Sequence, residues 1–180
     1  MVNKFTIALL PGDGIGPEVI QEADLPPGVV NIVTGFGDTG AAIVNHPDVN
    51  KVAFTGSTNV GKIIQKALAG TDKKYTLELG GKSPVIIDKG YSLKKVINRL
   101  VSTKFINLGQ SCIAPDYVVI NKEDYNHFIE LLIKEIESSY GASFDEQIES
   151  NSLARIANES GYSRLIKLIN EHKDNIVYGG

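Results

Sequence analysis

Cys112 and Glu78 are the two side chains of this sequence whose types and settings point to chemistry. Cys112 is the single cysteine, and it follows Gly109-Gln110 at the break between a helix pattern and a strand pattern, where a side chain can face a cleft. A thiol attacks a carbonyl carbon as the thiolate, and the covalent product then needs a carboxylate that activates water. Glu78 is the candidate carboxylate, because it ends a predicted strand beside a glycine turn. Taken alone, however, a cysteine is more often a buried filler and a glutamate a surface charge.

A loop of small residues, residues 55–61, forms a second candidate site. Apolar periodicity predicts a strand over residues 49–54 before it and a helix over residues 60–69 after it. Free N–H groups and the helix dipole at such a helix start favour a pyrophosphate, and Ser57 adds a hydroxyl group. Without other evidence, a Gly-Ser-Thr run before a helix is more often a helix N-cap than a ligand site.

Three stretches of this sequence resemble one family, in that family's order. LELGGKSP at residues 77–84, followed by GQSC at residues 109–112, resembles the active-site signature of the aldehyde dehydrogenase superfamily. FTGSTNVG at residues 54–61 resembles the nicotinamide-cofactor loop of the same family, with Asn59 where an acidic residue is common. The resemblance extends over residues 24–180, first to the class 1 and 2 branch and after Cys112 to the class 3 branch.

The resemblance implies roles for the candidate residues. Cys112 would be the nucleophile and Glu78 the general base, the substrate would be a small-molecule aldehyde, and the cofactor would be NAD or NADP. The residues implied in cofactor binding are Gly56, Ser57, Thr58, Asn59, Val60, Gly61 and Leu79. No metal is expected, because the three scattered histidines, His46, His127 and His172, show no metal-ligand spacing.

The implied reaction passes through a thiohemiacetal and then a thioester on Cys112, which Glu78 helps water to hydrolyse. In the resembling family, an asparagine oxyanion donor and a lysine that contacts the cofactor ribose come from upstream stretches without a counterpart here. We therefore expect an impaired dehydrogenase. Two alternatives stay open: a cofactor-independent thiol esterase that uses Cys112 and Glu78, and a non-catalytic mosaic fragment.

Residues 1–23 resemble a different family, the N-terminus of the isopropylmalate and isocitrate dehydrogenases. The segment IALLPGDGIGPEVI carries this resemblance and predicts a strand over residues 4–10, a glycine loop over residues 11–17 and a helix over residues 18–23. The glycine spacing falls short of a dinucleotide fingerprint, so a plain turn is favoured over a phosphate-binding loop. The chain thus resembles a mosaic of two families.

Strand patterns alternate with helix patterns along the chain, which predicts an α/β fold: a layered, mostly parallel sheet with flanking helices, incomplete relative to the aldehyde dehydrogenase fold. We predict a partial nicotinamide-cofactor-binding region over residues 1–88 and a partial catalytic, thiol-bearing region over residues 89–180. Asp38 and Ser92 are the predicted helix caps. The remaining predicted elements are strands over residues 29–33, 73–79, 84–88, 117–120 and 175–180, helices over residues 38–44, 93–105, 125–138 and 153–171, and a loop over residues 139–150.

Composition and charge narrow the partners and the location. The chain of 180 residues has a formal net charge of −3, which gives no electrostatic reason to expect nucleic acid or polybasic membrane binding. No apolar run approaches a bilayer span, and the first residues lack signal-peptide features. The single free thiol fits a reducing compartment, so we predict a cytoplasmic protein. Family strands without a counterpart here would leave an unpaired sheet edge, which predicts self-association.

Overall fold

The computed structural model describes residues 7–9 and 29–179, and the chain divides into two compact units, Met1–Leu79 and Gly80–Gly180. The strands of the described residues form three two-stranded sheets, and all three pairs are parallel. The predicted α/β class with parallel strands and flanking helices is confirmed. The glycine loop predicted over residues 11–17 and the helix predicted over residues 18–23 lie outside the described residues.

In the first unit, short strands alternate with helices. Its elements are β1 (Ile7–Leu9), β2 (Val30–Ile32), α1 (Gly37–Asn45), β3 (Lys51–Thr55), α2 (Thr58–Leu68) and β4 (Lys74–Glu78). Strand β1 pairs with β2, and β3 pairs with β4 over their full lengths. The strand, loop, helix and strand predicted between residues 49 and 79 are therefore confirmed to within two residues at each end.

The core of the first unit forms where β3 meets its helices. Val52 is buried and Phe54 is half-buried, two residues apart on the same face of β3. Ile64 and Leu68 are buried one helical turn apart on α2. Burial of each such side chain contributes about 1.5–3 kcal/mol to folding, so this cluster holds the loop between β3 and α2 in place.

Helix α1 is stabilised at its C-terminal end and not by the predicted cap. Asp38 was predicted as the N-cap, but the N-cap is Phe36, and Asp38 lies inside the first turn, where its Oδ1 accepts a hydrogen bond from Thr39 N–H at 2.9 Å. The prediction was wrong because the helix begins one residue earlier, at Gly37. Lys73 Nζ instead donates to the carbonyl of Val44, in the last turn, at 2.9 Å and to that of His46, the C-cap, at 2.7 Å.

The second unit begins at Gly80. Its elements are β5 (Ser83–Ile86), α3 (Leu93–Phe105), β6 (Pro115–Val119), α4 (Tyr125–Tyr140), α5 (Phe144–Glu149) and α6 (Glu159–His172), with 3-10 turns at Ile106–Gly109, Lys122–Asp124 and Lys173–Asn175. Strand β5 belongs to this unit because it pairs with β6. The assignment of residues 1–88 to cofactor binding and of residues 89–180 to catalysis stays a prediction.

The core of the second unit lies on one face of the β5–β6 sheet. Its buried side chains are Ile87, Ile97, Leu100, Val101 and Phe128, which come from α3, α4 and the end of β5. Ser92 is the N-cap of α3, as predicted, although its backbone carbonyl and not its hydroxyl accepts the bonds, from Lys95 and Val96.

The opposite face of the β5–β6 sheet is apolar and solvent-exposed. Ile86, Tyr117 and Val119 point to this face and are 75%, 50% and 50% exposed. A parallel sheet is usually covered on both faces. Self-association of the chain stays a prediction, and this face is compatible with it.

Three predictions for the C-terminal part were wrong. Residues 139–150 contain helix α5, whose first turn is capped by two bonds: Ser143 Oγ accepts from Glu146 N–H, and Glu146 Oε2 accepts from Ala142 N–H, one residue before the N-cap. Helix α6 begins only at Glu159, because Asn158 caps it by accepting from Gly161 N–H at 2.8 Å. The strand predicted over residues 175–180 is absent from the described residues, which end in a 3-10 turn and bends.

No helix of the described residues combines the length and the apolar character needed to cross a bilayer.

Candidate active site

The predicted cofactor loop and Glu78 both lie at the carboxyl ends of the paired strands β3 and β4 in the first unit. Thr55 ends β3 and stands opposite Glu78, which ends β4. One residue later, Gly56 N–H donates to the Glu78 carbonyl at 3.0 Å. Ligands of open α/β sheets bind beyond the carboxyl ends of the strands, which is where the loop and Glu78 lie.

Helix α2 starts directly after this loop, and Ser57 caps it. Ser57 Oγ accepts a hydrogen bond from Val60 N–H at 3.3 Å, and the Ser57 carbonyl accepts from Gly61 N–H at 3.0 Å. The interpretation of Gly-Ser-Thr as an N-cap is therefore confirmed. The N–H groups of Thr58 and Asn59 have no acceptor within the described residues. Two donors at the positive end of the helix dipole fit an anion such as a pyrophosphate.

Two glycines of the loop allow neighbouring side chains to approach its backbone closely. A Cβ atom on Gly61 would lie 2.6 Å from Leu79 Cδ2, and a Cβ atom on Gly56 would lie 2.5 Å from Phe54 Cζ. Glycine at position 61 thus allows Leu79 to pack against the first turn of α2. The structure therefore brings all seven predicted cofactor residues into one part of the first unit.

The Glu78 side chain is exposed at this edge. Its carboxylate has no hydrogen-bond or ion-pair partner in the part of the chain that the structure describes. Both carboxylate oxygens are therefore available to accept a proton or a hydrogen bond from water. The predicted position of Glu78, at a strand end beside Gly80-Gly81, is confirmed.

In the second unit, Cys112 lies in the turn between α3 and β6, with an exposed thiol that forms no disulfide. Ala114 N–H donates to the Ser111 carbonyl at 3.2 Å and so tightens this turn around Cys112. The Cys112 N–H has no acceptor among the described residues. A free N–H next to a nucleophilic sulfur is where an oxyanion would need a donor.

The Cys112 turn packs against the glycine turn at the start of the same unit. A Cβ atom on Gly81 would lie 1.9 Å from the Cys112 carbonyl oxygen. Lys82 Nζ and Asp116 Oδ2, the next charged groups along the two segments, form an ion pair at 3.1 Å. Sequence reasoning assigned Gly81 only a turn, and the close approach depends on the pairing of β5 with β6, which no local pattern shows.

The backbone before Cys112 has an unusual conformation. Asn107, Leu108 and Gly109 have φ values of 50°, 53° and 73°, in the left-handed region. Glycine and asparagine adopt this region readily, whereas leucine does so rarely. The sequence predicts the end of a helix at Phe105 and a break before a strand at Cys112, but it does not predict this left-handed turn.

Other features of the described residues do not involve the predicted site. A groove of about 290 Å³ in the second unit is lined by Val85, Ile86, Tyr91, Lys95, Val96, Arg99, Leu100, Thr103 and Pro115. Within the described residues, no group of three His, Cys, Asp or Glu side chains is placed to hold a metal ion. Burial, reinforced by the Glu137 carboxylate, raises the pKa of Tyr178 above its usual value.

Known proteins are similar to this chain over a range that includes Glu78, Cys112 and the loop over residues 55–61. The profile of the aldehyde dehydrogenase family matches residues 17–180. Human mitochondrial aldehyde dehydrogenase is 40% identical over 158 residues, which are 86% of this chain and 30% of that protein. This chain thus spans about a third of the length of the curated relatives it matches.

Two solved structures are similar over most of the chain. A mutant of aldehyde dehydrogenase C from Pseudomonas syringae, in complex with NAD⁺ and octanal, is 31% identical with a TM-score of 0.80, over 94% of this chain and 36% of that one. The NAD⁺ complex of an aldehyde dehydrogenase from Bacillus cereus is 38% identical with a TM-score of 0.74, over 88% of this chain and 32% of that one. The resemblance of residues 1–23 to isopropylmalate dehydrogenases stays a prediction.

Proposed function

Because the chain belongs to the aldehyde dehydrogenase family, we propose that it acts in the NAD(P)-dependent oxidation of an aldehyde to a carboxylic acid. One observation carries the proposal: Cys112 combines an exposed, free thiol with a backbone N–H that has no acceptor among the described residues. Acyl chemistry on a thiol needs both a nucleophile and an oxyanion donor.

Cys112 performs the first step. Its thiolate adds to the aldehyde carbonyl carbon, and the carbonyl oxygen becomes the oxyanion of a thiohemiacetal. The free Cys112 N–H donates to this oxyanion. Loss of one such donor typically slows an enzyme about 10²–10³-fold, so the position of this single N–H matters for the rate.

Glu78 performs the last step. After loss of the hydride, a thioester remains on Cys112, and water must attack its carbonyl carbon. The exposed Glu78 carboxylate accepts a proton from that water, and the products are the carboxylic acid and the free thiol. General-base help of this kind is typically worth about 10²–10⁴-fold.

The cofactor would be held by the start of helix α2. The N–H groups of Thr58 and Asn59 would donate to the pyrophosphate. Gly56 and Gly61 would present no side chain to it, and Leu79 lies beside the first turn of α2. When bound, NAD or NADP supplies the acceptor for the hydride. Two similar structures contain NAD⁺, which supports the proposal. The choice between the two cofactors, the cytoplasmic location and the expected impairment stay predictions.

The test measures NADH formation from octanal, the aldehyde bound in one similar structure, with variants of the two reacting residues. We expect Cys112→Ser to abolish NADH formation. We expect Glu78→Gln to retain one burst of NADH per chain and then to turn over about 10²–10⁴-fold more slowly, because deacylation loses its base.

Two results would contradict the proposal. Equal NADH formation by the wild-type chain and Cys112→Ser would exclude Cys112 as the nucleophile. Cleavage of p-nitrophenyl acetate that requires Cys112, with no NADH formed from any aldehyde, would instead indicate the cofactor-independent thiol esterase.

A further inference from the structure

The amide side chain of Gln110 uses both of its ends in hydrogen bonds around the Cys112 turn. Gln110 Nε2 donates to the Asn107 carbonyl at 3.0 Å and to the Arg155 carbonyl at 2.9 Å. Gln110 Oε1 accepts from Ala157 N–H at 2.9 Å. An amide group with donors and acceptor all engaged has one fixed orientation.

These bonds stabilise a stretch of backbone whose conformation is unfavourable by itself. Asn107 and Leu108 lie in the left-handed region at φ 50° and 53°, a conformation that asparagine tolerates and that leucine adopts only at a cost. Such conformations persist where the surrounding structure holds them. Gln110 supplies this support from two directions, through the Asn107 carbonyl within the turn and through residues 155–157 outside it.

Residues 155–157, which bond to the Gln110 side chain, belong to a segment that further hydrogen bonds hold in place. The Arg155 guanidinium donates through Nη1 to the Leu153 and Ala154 carbonyls, at 2.7 and 3.3 Å, and through Nη2 to the Ile148 carbonyl at the end of α5. Residues 153–157 are therefore bonded to helix α5 as well as to Gln110. The contact joins two restrained segments of the second unit.

We infer that Gln110 is a positioning residue, which fixes the Cys112 thiol and N–H for attack on a carbonyl. The inference rests on the proposed function of Cys112. Gln110 precedes Cys112 by two residues, so its fixed side chain sets where the backbone enters Cys112. Misplacement of a reacting group by about 1 Å can cost about 10²-fold in rate.

The test compares two glutamine variants of the 180-residue chain. Gln110→Met keeps the length of the side chain and removes all three bonds. Gln147→Met is the matched control, because Gln147 Nε2 also donates to a backbone carbonyl of the same unit, that of Gly141, at 2.9 Å. The probe is p-nitrophenyl acetate, whose acyl group passes to Cys112 without a cofactor, together with amide hydrogen exchange.

We expect Gln110→Met to lower kcat for acyl transfer about 10–100-fold with KM nearly unchanged, and to speed amide exchange over residues 107–113. We expect Gln147→Met to match the wild type in both measurements. A general loss of stability in Gln110→Met would instead raise amide exchange throughout the unit and not only over residues 107–113.

If Gln110→Met does not fold, Gln110→Glu replaces it, because a carboxylate still accepts from Ala157 N–H but cannot donate to the Asn107 and Arg155 carbonyls. We then expect a fall in kcat and faster amide exchange over residues 107–113, both relative to the wild type at the same pH, because the carboxylate repels the two carbonyls to which Gln110 Nε2 donates.

The outcomes separate the two claims. Equal kcat values in the Gln110 and Gln147 variants, or equal exchange over residues 107–113, would overturn the role of Gln110 and leave the proposed function intact. A wild-type Cys112 that accepts acyl groups no faster than a cysteine in a short peptide would overturn the proposed function, and the role of Gln110 with it.

Discussion

The loop over residues 55–61 leads from a strand to a helix and the turn over residues 106–114 from a helix to a strand, and different interactions hold them. In the first, Ser57 has an extended backbone, and its bonds reach only to Val60 and Gly61. In the second, three successive residues have positive φ, and Gln110 bonds to residues 45 and 47 positions further along the chain.

The difference is that local contacts determine the conformation of the first segment, whereas tertiary contacts determine that of the second. The conformation of the loop at residues 55–61 is set by its own residues and by the strand beside it. The conformation of the Cys112 turn depends on segments that reach it only when the second unit has folded. Substitutions around the Cys112 turn should therefore change chemistry and stability together, whereas substitutions in the first loop should have smaller and separable effects.

The largest effect is expected for Gly81→Ala. The added Cβ atom would lie 1.9 Å from the Cys112 carbonyl oxygen, a backbone atom that cannot rotate away, so the Cys112 turn must shift. We expect a loss of about 1–3 kcal/mol in the free energy of unfolding and acyl transfer about 10²-fold slower. Urea unfolding and p-nitrophenyl acetate cleavage measure the two effects.

Gly40→Ala is the control for this substitution. A Cβ atom on Gly40, in helix α1, meets no atom within 4 Å, and alanine is favoured over glycine in a helix by about 0.5–1 kcal/mol. We expect Gly40→Ala to be neutral or stabilising and to leave acyl transfer unchanged. Acyl transfer at the wild-type rate in Gly81→Ala would show that the Cys112 turn is not tied to Gly81.

The same contrast explains what could be predicted from the sequence. The pattern of apolar residues predicted β3 and β4, and the small residues between β3 and α2 predicted the helix start. Both predictions were possible because these signals lie within a few residues of the structure they determine. Glu78 at a strand end and Cys112 between a helix and a strand follow from the same local patterns.

What the sequence did not show depends on distant contacts. The partners of Gln110 are backbone groups of Arg155 and Ala157, and any residue type offers those groups, so no pattern marks them. Residues 153–158 were predicted as the start of one helix over residues 153–171. Instead, the Arg155 guanidinium donates to the Leu153 and Ala154 carbonyls, and Asn158 is the N-cap of α6, which begins at Glu159. The capping residues of α5, Ser143 and Glu146, were a local signal that the polar composition of residues 139–150 obscured.

Gly109→Ala is expected to have a smaller effect than Gly81→Ala. Gly109 has φ +73°, and its Cβ atom would lie 3.2 Å from the Lys104 carbonyl oxygen. A left-handed conformation costs an alanine about 1–2 kcal/mol, and the contact adds to this cost. We expect unfolding at lower urea concentration and a measurable fall in acyl transfer, because Gly109 belongs to the turn that leads to Cys112.

Gly90→Ala provides the matched measurement. Gly90 has φ +82° in the same unit, but a Cβ atom there meets no atom within 4 Å. We expect a similar conformational cost without any change in acyl transfer. If both variants slowed acyl transfer equally, loss of stability alone would explain the effect, and the turn before Cys112 would have no special role.

The smallest effects are expected in the first loop, where Ser57 variants can separate helix capping from cofactor binding. Ser57→Ala removes the bond from Val60 N–H, which should cost about 1 kcal/mol in the free energy of unfolding. Ser143→Ala is the control, because Ser143 caps α5 with the same 3.3 Å bond and should lose stability without a change in NAD affinity.

Ser57→Asp then tests the loop as a phosphate site. Aspartate is also a good N-cap, and the helix dipole favours a carboxylate there, so stability to urea should equal or exceed that of the wild type. Two like charges at one helix start repel each other, so NAD should bind more weakly than to Ser57→Asn, a neutral cap. Equal NAD affinity in the Asn and Asp variants would mean that the N-terminus of α2 is only a helix cap, and that any cofactor contact of this unit lies elsewhere.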